Sequence, residues 1–337
     1  MLLHYYRDAR GNFGDDLNSW LWERLLPGAW MQDGTVFCGV GTIFDDLIPA
    51  ARRIVVFSSG AGYSPPPKGL GGPQWQIVCV RGPLTVAALG LAPDAAVTDG
   101  ALLLAALPDF APLAESERHG AIFVPHHEAL GIGAWPQVCA TAGIEFVSPC
   151  QDSRHVIQRI RSARLVIADA MHAAIVADAM GVPWVAVRTS REISTFKWLD
   201  WTLSMQVPYE PIDLPCSSVT EGARDFLLPL YGRRYALKDF AVPAVLAHYR
   251  ALMRYKASRA APRLRDIANG LFFKRIVKPA RSAPGLRSIL DRVDRKQIEL
   301  AAAGLSRAAA RRGILSDAAI RRARLAELQH RLSSLQW

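Results

Sequence analysis

The stretch RLVIADAMHAAIVADAMGVPWVAVRTSR, Arg164 to Arg191, reads as strand, helix, strand. Leu165 to Ala168 is a short apolar run, alanine-rich helical spacing follows, Gly181 and Pro183 stop it, and Trp184 to Val187 is a second apolar run. Two short buried strands joined by one helix make a right-handed parallel βαβ unit. Open α/β sheets place ligands at the carboxyl ends of their strands. Those ends carry Asp169 and His172 after the first strand, and Arg188 and Arg191 after the second. A histidine at a helix start facing two arginines suits an anionic substrate that needs a proton moved. The same residues also read as a core histidine and solvated loop charges, because one βαβ unit decides fold better than function.

Strand and helix alternate on both sides of this unit. PDFAPLAESERHG (108–120) is a Pro-rich, charged break that reads as a linker. After it, AIFVPHHE delivers His126 and His127 at a strand end; neighbours cannot share a strand face, so one faces the cleft and a two-histidine metal site is not expected. Before it, Leu2 to Arg7 is a first strand, and DARGNFGDDLN leads into a helix from Ser19 to Leu26. Asp15 or Asp16 can cap that helix, but capping does not account for Asn12, Asp15, Asp16 and Asn18 together. Strands in VFCGVGTIFDD (36–46) and RIVVFSSGAGY (53–63) end in Gly39-x-Gly41 and Gly60-x-Gly62. Neither completes a dinucleotide fingerprint, though both let backbone approach a ligand closely. Gln76 to Val80 is another strand, then Arg81, then Gly82-Pro83 opening a helix whose free N–H groups suit an anion. Ala96 to Asp99 reads as a further strand, ending in an acid before a helix from Ala101 to Leu107.

The chain of 337 residues is long enough for two domains and a tail at roughly 150 residues per domain. From Ala251 onward 20 Lys and Arg face 6 Asp and Glu, a net of +14 against +10 for the whole chain, so the first 250 residues are net −4. The basicity belongs to the tail and implies an anionic surface as its partner. No run approaches the roughly 18–20 apolar residues of a membrane span, and MLLHYYRDARG has no leader-like apolar region, so a cytoplasmic protein is expected. Cys38, Cys79, Cys139, Cys150 and Cys216 are scattered, without a C-x-x-C pair, and read as reduced thiols.

EISTFKWLDWTLS (192–204) is helical, with Trp198 and Trp201 on one face as core packing or as an aromatic platform for a sugar ring. Val242 to Tyr255 reads as a helix returning to the first domain. In the tail, RLRDIANGLFFKRIVKP (263–279) sets Leu264, Ile267, Leu271 and Phe272 among basic residues, the pattern of an interfacial membrane helix. The final segment carries Ile320, Leu325, Leu328, Leu332 and Leu335 as a stripe, more typical of helix packing than of anchoring. Attachment to anionic lipid is the favoured role of the tail, self-association next; nucleic acid is not expected, since no nucleic-acid module accompanies the charge.

NFGDDLN (12–18), VRGPLT (80–85), the histidine helix ending in GVPWVAV (181–187) and FKWLDW (196–201), in this order, resemble the polysaccharide pyruvyl transferase family, closest to its exopolysaccharide branch. The resemblance implies a GT-B-like α/β fold, with two Rossmann-like domains facing a cleft: 1–115 on the acceptor side, 116–256 on the donor side, and 257–337 as a basic helical tail. It implies phosphoenolpyruvate as co-substrate, no cofactor or metal, and a lipid-linked oligosaccharide acceptor at the cytoplasmic face of the bacterial inner membrane. His172 falls on the family's acid/base histidine and Arg81 on its R-x-P-L-[ST] arginine. Donor binding is assigned to Arg81, Arg188, Arg191, Lys197, Ser59 and His126, with Arg188 or Lys197 replacing an arginine that relatives carry where this chain has Ala170. Asp15 and Asp16 join His172 as catalytic candidates, and Asn12, Gly14, Asn18 and Trp198 are acceptor contacts. A GT-B nucleotide-sugar glycosyltransferase resembling sialyltransferases, or a non-catalytic membrane scaffold, would fit the same fold.

Overall fold

Nine strands form two all-parallel sheets in a computed structural model that describes residues 1–30, 34–45, 47–231, 233–258 and 284–335. The first sheet holds β1 (Leu2–His4), β2 (Thr35–Cys38), β3 (Arg53–Ser59) and β4 (Trp75–Val80) in that order, with Leu2 opposite Val36, Val36 opposite Ile54 and Ile54 opposite Trp75. The second holds β5 (His119–Val124), β6 (Glu145–Phe146), β7 (Ala163–Ala168), β8 (Trp184–Arg188) and β9 (Ile212–Asp213), ordered β6-β5-β7-β8-β9. Because the chain leaves β5 for one neighbour and returns to the other, the strand order reverses between β5 and β7, where such sheets open a crevice.

The helices are α1 (Phe13–Asp16), α2 (Asn18–Leu25), α3 (Pro83–Leu89), α4 (Trp135–Ala142), α5 (Ser153–Ser162), α6 (Met171–Ala179), α7 (Thr195–Ser204), α8 (Val219–Leu227), α9 (Val242–Ala257), α10 (Pro284–Ala309) and α11 (Ala318–Ser333). The central βαβ unit is β7–α6–β8, with Val166 opposite Trp184. Helix α6 is buried on nearly every side, which explains its alanine content, and Gly181 (φ +66°) supplies the left-handed residue that turns the chain toward β8.

Two local expectations give way to tertiary structure. The expected strand from Ala96 to Asp99 is reduced to one bridge, Ala96 to Val80, and the helix after it is a 3-10 helix, Gly100–Ala106, capped by the Asp99 carboxylate. Residues 108–118 join the first sheet's elements to β5, at the place of the expected linker, and pack on the body. Phe110 is buried with its ring 5.4 Å from that of Trp20, and the Arg118 guanidinium donates to the carbonyls of Leu113, Met180 and Gly181.

The C-terminal helices lie on the body. On α10, Ala301, Ala302, Leu305 and Ala308 form a small-residue face buried with Phe123, Trp135 and Val138 beside the second sheet. The chain then bridges Trp184 through Ile314, and Ser316 hydrogen-bonds buried Asp178. Helix α11 crosses to the first half, where Leu328, Leu332 and Leu335 of the predicted stripe join the main core and Arg331 donates to the carbonyls of Val78 and Asp94. The stripe is thus a packing face, while the amphipathic segment 263–279 lies outside the described residues. Among the described residues no helix is long and apolar enough to cross a membrane. All five cysteines are free thiols. Leu328→Ala is expected to cost about 2–5 kcal/mol, as for other fully buried leucines, read as a lower urea midpoint; a wild-type midpoint would show that α11 adds nothing to the fold.

Candidate active site

A cavity of about 460 Å³ opens at the carboxyl ends of both sheets. The loop after β1 contributes Asn12 and Asp15, the loop after β2 Thr42, the loop after β3 Tyr63, the loop after β5 His126 and His127, the start of α6 His172, and α7 Lys197.

The polar cluster 12–18 divides by role. Asp16 accepts from the backbone N–H of Asn12 (2.9 Å), a local turn bond, and does not line the cavity. Asn18 is fully buried: its Oδ1 accepts from Trp22 Nε1 and Val40 N, and its Nδ2 donates to Asp15 O and Val40 O. It is a clip between α2 and the end of β2, not a sugar contact. Of the two acids in this cluster only Asp15 lines the cavity, held by Asn12 Nδ2 at 2.5 Å. Gly14 leaves room for the imidazole, since a Cβ there would sit 2.0 Å from His172 Nδ1.

The glycine triplets admit the protein's own side chains. A Cβ on Gly60 would meet the Arg81 guanidinium at 2.1 Å, and one on Gly62 would meet Thr42 at 2.2 Å and Lys197 at 3.2 Å. A Cβ on Gly39 or Gly41 would meet Trp22 or Asp15. Arg81 is fully buried, pairs with Asp200 (3.1 Å) and donates to Ala61 O and Thr42 Oγ1. Asp200 also accepts from Thr85 N and Thr85 Oγ1, so a carboxylate of the chain itself occupies the anion position expected at the start of α3.

Other assigned donor contacts also point elsewhere. Arg188 is bidentate to Asp213 (2.6 and 2.9 Å) and donates to Leu237 O, and Arg191 is exposed and pairs with Asp225; neither lines the cavity. Ser59 is buried against the Gly39 carbonyl. Trp198 reaches the cavity wall, but its ring is 2% exposed and stacks on Tyr209 at 5.4 Å, so it offers no platform. Asp169, beside the histidine, accepts from His126 N, Thr189 N and Thr189 Oγ1 and ties the ends of β5, β7 and β8 together. His126 and His127 both line the cavity, their rings 4.4 Å apart.

A family model described as polysaccharide pyruvyl transferase matches residues 39–191. The succinoglycan biosynthesis protein ExoV of Rhizobium meliloti (strain 1021) is 38% identical over 290 residues, covering 77% of this chain and 91% of its own. This chain belongs to the polysaccharide pyruvyl transferase family. No solved structure matches it. As a member it is a transferase of polysaccharide pyruvylation, which sets aside the glycosyltransferase and scaffold readings.

For a pyruvyl transferase the informative groups are those His172, Asp15 and Lys197 bring together. Burial, the Lys197 charge and the Arg81 charge push the His172 imidazole down to about 3, so it is neutral in the free protein. Burial, then Arg81, lowers Lys197 to about 8, partly offset by Asp15 and Asp99. Burial raises Asp15 to about 7 against the opposing pull of Lys197. Among the described residues the Lys197 ammonium has no ion pair or hydrogen bond and lies 4.4 Å from the centre of the Tyr63 ring.

Residue-by-residue reading of the sequence missed Tyr63, Tyr235, Lys256 and Asp99 as site groups. Lys256 donates to Tyr63 O and Tyr235 Oη and fixes the aromatic wall from α9, 193 residues away. Tyr63 and Asp99 each stood at a strand-end position, the one signal that pointed to them. Asp15 supplies a pH test. Its raised pKa means the folded protein holds a proton that the unfolded chain releases near 4, so its contribution favours folding below that pH and is lost as pH rises through about 7. Asp15→Asn is therefore expected to flatten the fall in urea midpoint between pH 4 and 8, whereas an unchanged fall would place the titration elsewhere. Gly14→Ala is expected to displace the imidazole, lowering turnover about tenfold or more in steady-state kinetics and costing about 1–3 kcal/mol of stability in urea unfolding.

Proposed function

We propose that this pyruvyl transferase moves pyruvate from phosphoenolpyruvate onto two hydroxyls of one sugar in a lipid-linked exopolysaccharide repeat unit, forming a cyclic ketal and releasing phosphate. The observation that carries the donor is Lys197, a desolvated ammonium with no ion pair or hydrogen bond among the described residues and only partly offset by Asp15 and Asp99, in the same cavity as a buried histidine. A buried unpaired charge is costly unless an anion joins it, and phosphoenolpyruvate brings both a phosphate and a carboxylate.

His172 then has a defined task. It delivers a proton to the methylene carbon of the donor, a sugar hydroxyl adds at C2, phosphate leaves, and a second hydroxyl closes the ring. Burial first, then the Lys197 and Arg81 charges, keeps the ring neutral; an incoming anion offsets those charges, and the proton enters the ring with the donor. Asp15, which enters from the side of the first sheet and is raised to about 7, is suited to take the proton of the attacking hydroxyl and pass it to the departing phosphate. No cofactor or metal enters this scheme.

We read the two sheets as the halves of a GT-B-like enzyme, 1–115 on the acceptor side and 116–256 on the donor side. The reading is supported by His172 and Lys197 entering from the second sheet, Asn12, Asp15 and Tyr63 from the first. Lipid linkage of the acceptor, and attachment to anionic lipid on the cytoplasmic face of the inner membrane, rest on the basic segment 263–279. That segment begins a few residues beyond Tyr255 and Lys256, which line the cavity.

Incubation with phosphoenolpyruvate and a glycoside acceptor is expected to release phosphate and add to the acceptor the mass of one pyruvate less one water. His172→Gln should lose about 10² or more in kcat, and Lys197→Met should raise KM for phosphoenolpyruvate about tenfold or more. Turnover with a sugar nucleotide in place of phosphoenolpyruvate would overturn the donor assignment.

A further inference from the structure

Behind the imidazole, on the side away from the cavity, stands a carboxylate that the motif comparison did not assign. Asp99 is fully buried and belongs to the first half, at the bridge that extends β4. Its Oδ1 is held by the backbone N–H of Ala101 at 3.0 Å, whereas its Oδ2 has no hydrogen-bond partner. His172 Nε2 is likewise buried and unpartnered, and the two orphaned atoms face each other across 3.9 Å. Two desolvated polar atoms of complementary type, each without another partner, are expensive apart and are satisfied together by a shift of about 1 Å.

We propose that Asp99 is the positioning partner of His172, accepting the Nε2–H bond across the two halves and leaving Nδ1 as the nitrogen that exchanges protons with substrate. The assignment rests on the reading of His172 as the acid of the reaction. In this dyad the proton given to the donor's methylene carbon departs from Nδ1, with the electron pair of the donor's carbon–carbon double bond forming the new C–H bond. The ring keeps its Nε2–H, and Asp99 stays ionised throughout. The proton of the second, ring-closing hydroxyl returns to Nδ1, restoring the imidazolium.

The charges around the pair fit this use. Arg81 and Lys197 act on both members, and Asp200 acts on Asp99 from α7. Both cations disfavour protonation of the ring, and the Asp99 carboxylate is the acid that faces it within 4 Å among the described residues. It is therefore the group that favours imidazolium once a donor anion has offset Lys197. Asp99 itself, raised to about 6 by burial, is mostly ionised at neutral pH.

Asp99→Asn separates positioning from structure, since its side-chain oxygen still caps Ala101 while its amide donates to Nε2 and forces the wrong tautomer. The variant is expected to keep the wild-type urea midpoint and a KM for phosphoenolpyruvate within about threefold, and to lose about 10² or more in kcat. A second readout uses the wild-type protein: nitrogen NMR of the His172 ring is expected to show Nε2–H in the free protein and uptake of about one proton when phosphoenolpyruvate binds at neutral pH, with the uptake abolished in Asp99→Asn. Wild-type kcat in Asp99→Asn, or a ring whose titration is the same with Asp or Asn at 99, would overturn the dyad. Retained turnover in His172→Gln would instead overturn the role of the histidine, a failure seen without any change at Asp99.

Discussion

The buried pair between Arg81 and Asp200 is the constraint on which the site depends. Asp200 leaves α7 beside the second sheet and enters the first half, where one carboxylate meets the Arg81 guanidinium and the open N-terminus of α3. Both side chains are fully buried, so the pair itself adds little net stability, whereas leaving either charge alone inside the protein costs about 3–5 kcal/mol. Its value is positional. Arg81 continues to Ala61 O and Thr42 Oγ1, which ties the loops after β2 and β3 to the same point. Gly82 is required there because a Cβ would lie 2.0 Å from the Asp200 carbonyl oxygen.

The pair also decides which cation faces the cavity. Lys197 and Asp200 are three apart on α7 and share a face of the helix. With Asp200 committed to Arg81, that face is locked, and Lys197 is carried to the cavity wall over Tyr63, its charge only partly offset by Asp15 and Asp99. Arg81 is paired inside the frame, while the Lys197 ammonium, with no ion pair among the described residues, is available to an anion. Burial first, then both charges, keeps His172 neutral until a ligand alters the balance.

The C-terminal segments extend the same economy of contacts. Helix α10 covers the second half, the strand-like passage at Ile314 and Ser316 is pinned to Trp184 and Asp178, and α11 closes on the first half. A segment whose composition suggests a charged appendage thus spans both sheets with its apolar face inward and its basic residues donating to carbonyl groups such as Ser204 O and Val78 O.

The sequence by itself determined the α/β class, the parallel order of the central unit, the stop at Gly181 and the family, because periodicity, turn residues and motif order are local properties of the chain. It also located His172, Asp15 and Lys197 at strand ends and on a helix, where the structure finds them lining the cavity. Only tertiary structure decided which polar residues remain available. Arg81, Arg188, Asp16 and Asn18 carry the right chemistry for a ligand, yet Asp200, Asp213 and backbone groups claim them first. Asp99 and Lys256 reach the site from positions that no spacing rule connects to it. The physical reason is that a buried polar group takes whatever partner the fold brings within hydrogen-bond reach, and such partners lie as many as 253 residues away.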